Sequence, residues 1–289
     1  MIYLDAPTTR GVLPMSDAIG AMEEAFTGDS ETPLRTLVGG SLVMPGRLGD
    51  HTAVKVVSIV PGSPAGIVVL FGPDGSPTGI VDGPTLTSIR TGAVCGLATR
   101  LLAPTDARVM AMLGAGAMAF DQVAAVREVR DIAEVLVWSR NPEHAGLLAE
   151  RVGGEAVADA NEAVSRADIV SCATPARAPL FTELAARPGV HVNAVGAFTP
   201  EMVEVPPGLV RSAYTVVDDY EAAAAEAGDL LQAGKRPDLS LRELLAGQSA
   251  GFTGRPTLFK SVGVASQDVA AAMRSISNAM AAGAGVALA

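Results

Sequence analysis

The sequence predicts an α/β protein in two parts, a doubly wound parallel sheet and a discontinuous α+β domain built from both ends of the chain. Three observations carry this prediction. From Arg108 to Val217, strand-like apolar runs alternate with helical patterns, the rhythm of a parallel sheet with crossover helices. Between residues 37 and 82 the apolar runs are short and punctuated by glycine and proline, which reads as an antiparallel sheet. A last amphipathic helix follows the alternating segment and is expected to pack back on the N-terminal part. The 289 residues suffice for one large or two medium domains.

The elements follow in order. Met15, Ile19, Met22 and Phe26 share one face of a helix that Pro14 and Ser16 start. The runs 42–44, 54–60, 67–71 and 79–81 are strands, and Asp74-Gly75 between two of them is a hairpin signal. Thr85 to Leu102 reads as a helix that Pro104 ends. Strands are expected at 109–113, 134–138, 156–157, 168–173, 189–196 and 213–217, with helices at 120–130, 145–152 and 161–165 between them. Val269, Met273, Ile276 and Met280 form the apolar stripe of the final helix. The domains are expected to be 1–104 with 262–289, and 105–261.

Composition narrows the function. Hydrophobic residues make up 49% and charged residues 18% of the chain, which excludes a disordered protein. Acidic residues outnumber basic ones by 31 to 21, which disfavours a nucleic-acid partner. Cys95 and Cys172 lack C-x-x-C spacing, so neither a disulfide framework nor a metal site is predicted. The first residues show no signal peptide, and Arg274, Ser275, Ser277 and Asn278 interrupt the alanine-rich stretch that begins at Val269. Arginine and asparagine there would be costly in lipid. A cytoplasmic protein with no membrane partner is expected.

Gly114-Ala115-Gly116-Ala117-Met118-Ala119 matches G-x-G-x-x-[GA], and it follows a buried strand and opens a helix. In that context the glycines permit a tight turn and close approach of a pyrophosphate, which the helix N-terminus attracts. The segment is therefore a Rossmann-type dinucleotide site at Gly114, Gly116, Ala117 and Met118. The second strand ends in Trp138-Ser139-Arg140-Asn141, without the acid that usually bonds the ribose hydroxyls of NAD. Arg140 and Ser139 suit the 2′-phosphate of NADP(H) better, so NADP(H) is favoured over NAD(H), and Asn141 is a further candidate cofactor-binding residue. Thr174, Pro175 and residues 193–196 end strands and are expected to line the nicotinamide crevice.

Three cations stand out in this acidic chain. Arg35 follows Thr32-Pro33-Leu34, Lys55 interrupts an apolar strand, and Arg90 lies near the start of a helix. A lysine in such a strand points to solvent or is paired. Convergence of all three on a substrate carboxylate is the sharper reading. His191, between two valines, reads as structural.

These segments occur in order with Glu226-Ala227-Gly228-Asp229 and Phe259-Lys260-Ser261-Val262-Gly263. The series resembles the ornithine cyclodeaminase/mu-crystallin family over nearly the whole chain. The resemblance implies a homodimeric NAD(P)-dependent enzyme acting on a small imino or amino acid. It implies that Arg35, Lys55 and Arg90 hold the substrate carboxylate and that Glu226 lies near the reacting centre. Thr91 and Val195 join the expected cofactor-binding set.

Two departures matter. The cyclodeaminase pattern carries an aspartate where this chain has Phe198, and a phenyl ring cannot act as a base. Ketimine reductase members lack that aspartate and carry Trp-x-Arg after the second strand, as here. Met118 replaces a frequent glutamine, with little consequence expected because backbone groups bind the phosphates. The expected reaction is NADPH-dependent reduction of Δ1-pyrroline-2-carboxylate or Δ1-piperideine-2-carboxylate to L-proline or L-pipecolate, with Lys55 or Glu226 handling the proton. An alanine dehydrogenase-like enzyme, an ornithine cyclodeaminase and a non-catalytic NADPH-binding protein are the alternatives.

Overall fold

The computed structural model describes residues 1–60, 65–248, 251–252 and 254–288. They form two compact units, Met1–Ala93 with Val264–Ala289, and Val94–Gly263. The first unit opens with β1 (Ile2–Leu4), α1 (Ala6–Val12), α2 (Met15–Thr27), β2 (Ser30–Glu31), β3 (Thr36–Val38), β4 (Ser41–Leu48), β5 (His51–Ser58), β6 (Gly66–Phe71) and β7 (Pro77–Asp82). Helix α3 (Gly83–Leu102) begins in this unit and ends in the second. The second unit continues with β8 (Val109–Leu113), α4 (Ala119–Val129), β9 (Glu134–Trp138), α5 (Pro142–Val152), β10 (Glu155–Ala156), α6 (Ala160–Arg166), β11 (Ile169–Cys172) and β12 (His191–Ala194). It ends with α7 (Pro207–Ser212), β13 (Tyr214–Val217), α8 (Tyr220–Glu226), α9 (Gly228–Ala233), β14 (Leu239–Ser240), α10 (Leu241–Leu245) and β15 (Thr257–Lys260). The chain returns to the first unit as α11 (Ala265–Ala282) and β16 (Val286–Ala287).

In the first unit the strands run β16-β1-β7-β6-β5-β4-β2, with β3 beside β4. Strands β4 to β7 are antiparallel as the sequence suggests, but β1 joins β7 in parallel. The Asp74-Gly75 turn closes the β6–β7 hairpin, with Gly75 at φ 78° and the Asp74 carboxylate accepting from Ser76 N at 3.0 Å. Helix α11 packs on α2 and on β4 to β7. The approach is close enough to need glycines. A Cβ on Gly46 would lie 2.6 Å from the Ala265 methyl, and one on Gly79 would lie 2.5 Å from Ile276 Cδ1. The stripe of α11 differs from the expected one at its end. Val269, Ala272, Ile276 and Ala279 are buried, whereas Met280 is 69% exposed because Ala279 occupies the inward position of the last turn.

The second unit holds a fully parallel sheet, ordered β10-β9-β8-β11-β12-β15-β13-β14. Six of its strands match the expected ones; β14 and β15 are additional, and β15 separates β12 from β13. The order reverses between β8 and β11, so the open crevice of a doubly wound sheet falls at their C-terminal ends. The sequence places the domain boundary near Pro104, whereas the contacts divide the chain inside α3. The last turns of α3 are tied to the second unit. Arg130 donates to the carbonyls of Thr99, Arg100 and Ala103, and Asn193 Nδ2 donates to Thr99 Oγ1 at 3.0 Å. No helix among the described residues is long and apolar enough to cross a membrane.

Candidate active site

The first unit buries a cationic cluster beneath α11. Alternation along β5 turns Ala53 and Lys55 inward and leaves Val56 on the other face. The Lys55 side chain is 2% exposed, so it does not point to solvent. Its Nζ lies 2.6 Å from Asp268 Oδ2, and Arg90 Nε donates to Asp268 Oδ1 at 3.1 Å. Arg90 also donates to Gln267 Oε1 at 2.8 Å. Asp268 and Gln267 start α11, and the sequence reading missed both.

Burial pushes the Lys55 ammonium down to about 8. Asp268 opposes that shift, while the charges of Arg90 and of half-buried Arg35 add to it. Thr91 follows Arg90 on α3 and is buried. Gln267 Nε2 and Thr87 Oγ1, one helical turn before Arg90, are buried without a hydrogen-bond partner among the described residues. Buried donors without acceptors are costly. Here they accompany Lys55 and Arg90, which share the Asp268 carboxylate, so an anion with more than one acceptor oxygen suits the cluster.

The second unit holds a cavity of about 600 Å³ at the C-terminal ends of β8, β9 and β11. Its walls include Gly114 and Gly116 after β8, Ser139, Arg140 and Asn141 after β9, and Thr174 after β11. His144 and Arg177, which sequence reasoning did not select, also line it. Gly114 has φ 111°, and a Cβ there would meet Ala173 O at 2.7 Å. Around a Cβ on Gly116 there is open space, which leaves the turn accessible to a phosphate. Met118 is the N-cap of α4 and makes no side-chain capping bond. Asn141 Oδ1 instead caps α5, accepting from Glu143 N at 3.0 Å. A glycine cradle, a helix start and an arginine at the far wall fit a dinucleotide.

Other expected residues lie elsewhere. Ala117 is exposed beside Gly116, and neither it nor Met118 or Val195 is among the residues lining the cavity. Val195 is buried past β12, with its N–H donated to Cys172 O. Asn193 does not face the crevice. It lies in a buried network with Thr99, Ser171 and His191, and His191 in turn bonds Thr257. Glu226 is the half-buried last residue of α8, outside the cavity lining. Phe198 is 37% exposed. Among the described residues no group of three or more His, Cys, Asp or Glu is placed to hold a metal ion.

Comparison with known proteins joins the two units in one family. The family model described as the ornithine cyclodeaminase/mu-crystallin family matches residues 9–283. The chain belongs to the ornithine cyclodeaminase/mu-crystallin family. Ketimine reductase mu-crystallin of Mus musculus is 35% identical, over 91% of this chain and 79% of the relative. Delta(1)-pyrroline-2-carboxylate reductase of Bacillus cereus is also 35% identical, over 93% and 94% of the two chains. Among solved structures, Thermococcus litoralis Δ1-pyrroline-2-carboxylate reductase in complex with NADH and L-proline matches with a TM-score of 0.93 and 32% identity, covering 100% of both chains. An archaeal alanine dehydrogenase dimer with bound NAD matches with a TM-score of 0.92 and 28% identity, covering 100% of this chain and 99% of that one.

Proposed function

We propose that this oxidoreductase reduces a cyclic ketimine carboxylate, Δ1-pyrroline-2-carboxylate or Δ1-piperideine-2-carboxylate, to L-proline or L-pipecolate with NADPH. The observation that carries the reading is the buried cluster of Lys55, Arg90 and Asp268, with its two donors that lack acceptors. Two carboxylate oxygens from a substrate would serve those donors. Arg90 offers a planar fork, Lys55 a point charge, and Arg35 adds long-range attraction. The likeness to ketimine and pyrroline-2-carboxylate reductases supports the same reading.

In the second unit, Gly114, Gly116 and the start of α4 hold the pyrophosphate, and Thr174 supports the nicotinamide half. Arg140 and Ser139 bind the 2′-phosphate, which is why NADPH is preferred. When bound, the reduced cofactor supplies a hydride to the imine carbon. The residues of the chain orient that carbon and manage one proton. Lys55 Nζ is the donor to the imine nitrogen, since a lysine held near 8 is charged at neutral pH and releases a proton readily. Glu226 holds the positive charge of the protonated imine. Phe198 cannot serve as the base that deamination of an open-chain diamine needs, which favours the cyclic imine as substrate.

Homodimer formation is part of this proposal. Leu37, Val38, Val56 and Ile67 are exposed on the first unit's sheet, the kind of apolar surface that a second copy covers. Light scattering at micromolar concentration should give twice the chain mass. The activity is tested by following NADPH absorbance with Δ1-pyrroline-2-carboxylate, with pyruvate plus ammonia, and with L-ornithine and NADP. Turnover of the cyclic imine is expected. Turnover of pyruvate plus ammonia alone would make the protein an amino-acid dehydrogenase, and tight NADPH binding without any turnover would make it a binding protein.

A further inference from the structure

The proposed mechanism gives no role to Glu204, a fully buried acid. Glu204 lies in the segment between β12 and α7 and is 0% exposed. Its Oε1 accepts from Thr174 N at 2.6 Å and from Thr174 Oγ1 at 2.9 Å. Its Oε2 accepts from Gly196 N at 2.8 Å and from Ala197 N at 3.0 Å. One carboxylate thus ties the loop after β11 to the loop after β12. Four partners occupy both oxygens, three of them backbone N–H groups that can only donate, with the Thr174 hydroxyl as the fourth. Burial pushes this carboxyl up, and the bonds from Thr174 oppose that shift.

The neighbouring charges act on the Glu204 carboxyl in both directions, Lys260 pushing it down and Asp229 pushing it up. Lys260, also 0% exposed, pairs with Asp229 at 2.8 Å, donates to Ala197 O, and pulls the Glu204 carboxyl back down. Asp229 Oδ1 accepts from the N–H groups of Glu204 and Val205 at 2.7 and 2.9 Å. The backbone of the same segment continues the clamp, because Leu180 N donates to Glu204 O and Val203 N donates to Ala176 O. Residues 174–178 and 180 are one wall of the dinucleotide cavity. A Cβ on Gly196 would sit 2.1 Å from Thr174 N and 2.6 Å from Glu204 Oε1, so the clamp leaves room for glycine only.

We propose that Glu204 is a positioning residue for the nicotinamide half of the cofactor, acting through the backbone and hydroxyl of Thr174. This rests on the assignment of the cavity to a nicotinamide dinucleotide. Without the carboxylate, the wall at 174–176 loses its register against β12, while the Gly114 turn and the Arg140 wall stay in place. Glu204 then affects the nicotinamide half and leaves the adenosine half unchanged.

The test compares whole cofactor with fragment. Titration calorimetry on the full chain measures Kd for NADPH and for 2′-phospho-ADP-ribose, and for NADH and ADP-ribose, in wild type, Glu204→Gln and Thr174→Val. In wild type the dinucleotide binds more tightly than its fragment. Glu204→Gln should weaken the dinucleotide by at least about tenfold, the equivalent of one charge-assisted hydrogen bond, with the fragment unchanged. Thr174→Val should move the same ratio by a smaller factor, and it carries the test alone if Glu204→Gln does not fold. Equal weakening of dinucleotide and fragment would make the role merely structural and overturn the proposal, as would no change in either. A wild type that binds neither dinucleotide would instead overturn the cofactor assignment.

Discussion

Asp268→Asn tests how the buried cluster sets the charge of Lys55. In the wild type the Lys55 ammonium is held at about 8, with burial driving it down and Asp268, 2.6 Å away, holding it up. Arg90 and Arg35 also face it and push it down. An opposite charge at such range is worth about 1–3 pH units to a titration. Removing it should bring Lys55 to roughly 5–7, and about 6 is the central expectation. The acid form of Lys55 is the proposed proton donor, so activity falls as pH rises through its titration. At about pH 7.5 some three quarters of wild-type Lys55 carries the proton, against roughly 3% in the variant, a loss of about 25-fold in kcat/KM. At about pH 5.5 most of that loss should disappear. The assay is NADPH oxidation with Δ1-pyrroline-2-carboxylate from pH 5 to 9.5. Protonation of the substrate imine is common to both proteins, so the displacement between the two profiles reports the enzyme. An alkaline limb that stays near 8 in Asp268→Asn would refute the coupling, and a uniform loss at all pH values would reduce Asp268 to a structural role.

Three further predictions follow from other parts of the molecule. Arg140→Ala should raise the Kd for NADPH by about 10- to 100-fold, as loss of charge-assisted bonds to a phosphate requires, and should leave NADH nearly unchanged; equal losses would refute the 2′-phosphate role. L-Ornithine with NAD or NADP should yield no proline by chromatography, and turnover would overturn the argument from Phe198. His191 is pushed down to about 3 by burial, partly opposed by its bond to Asn193. Its neutral form stabilises the fold above about pH 6.5, and that stability is lost as pH falls towards 3, by about 2.5 kcal/mol between pH 7 and 4.5. Urea unfolding of His191→Gln, which cannot titrate, should show a shallower acid loss by that amount; identical slopes would refute the assignment.

The sequence made the doubly wound sheet legible because β8, β9 and β11 are apolar runs flanked by glycine turns and helical periods. Strand β15 was hidden. It is four residues long and fully buried, and it ends in Lys260, whose charge breaks the apolar run. The dinucleotide turn was legible because its glycines, strand and helix are contiguous. Lys55 and Arg90 were legible as misfits, a charge in a strand and a charge near a helix start. Their partner Asp268 was not, because it lies 178 residues beyond Arg90 and its own surroundings read as an ordinary helix start. Glu204 escaped for the same reason, since its partners are backbone N–H groups and the Thr174 hydroxyl, which only folding brings together. Asn193 misled because the strand-end rule places a residue at the crevice without saying which face its side chain takes. Met280 misled because helical spacing continues past the point where smaller Ala279 turns inward.

Competition between substrates decides which reaction the enzyme catalyses. Equal concentrations of Δ1-pyrroline-2-carboxylate, pyruvate with ammonia, and Δ1-piperideine-2-carboxylate are offered to the enzyme with limiting NADPH, and the products are separated on a chiral column. L-proline and L-pipecolate should exceed alanine by at least about 100-fold, the ratio that a site built on specific buried contacts can reach. Alanine as the main product, or the D-enantiomers of the cyclic acids, would contradict it.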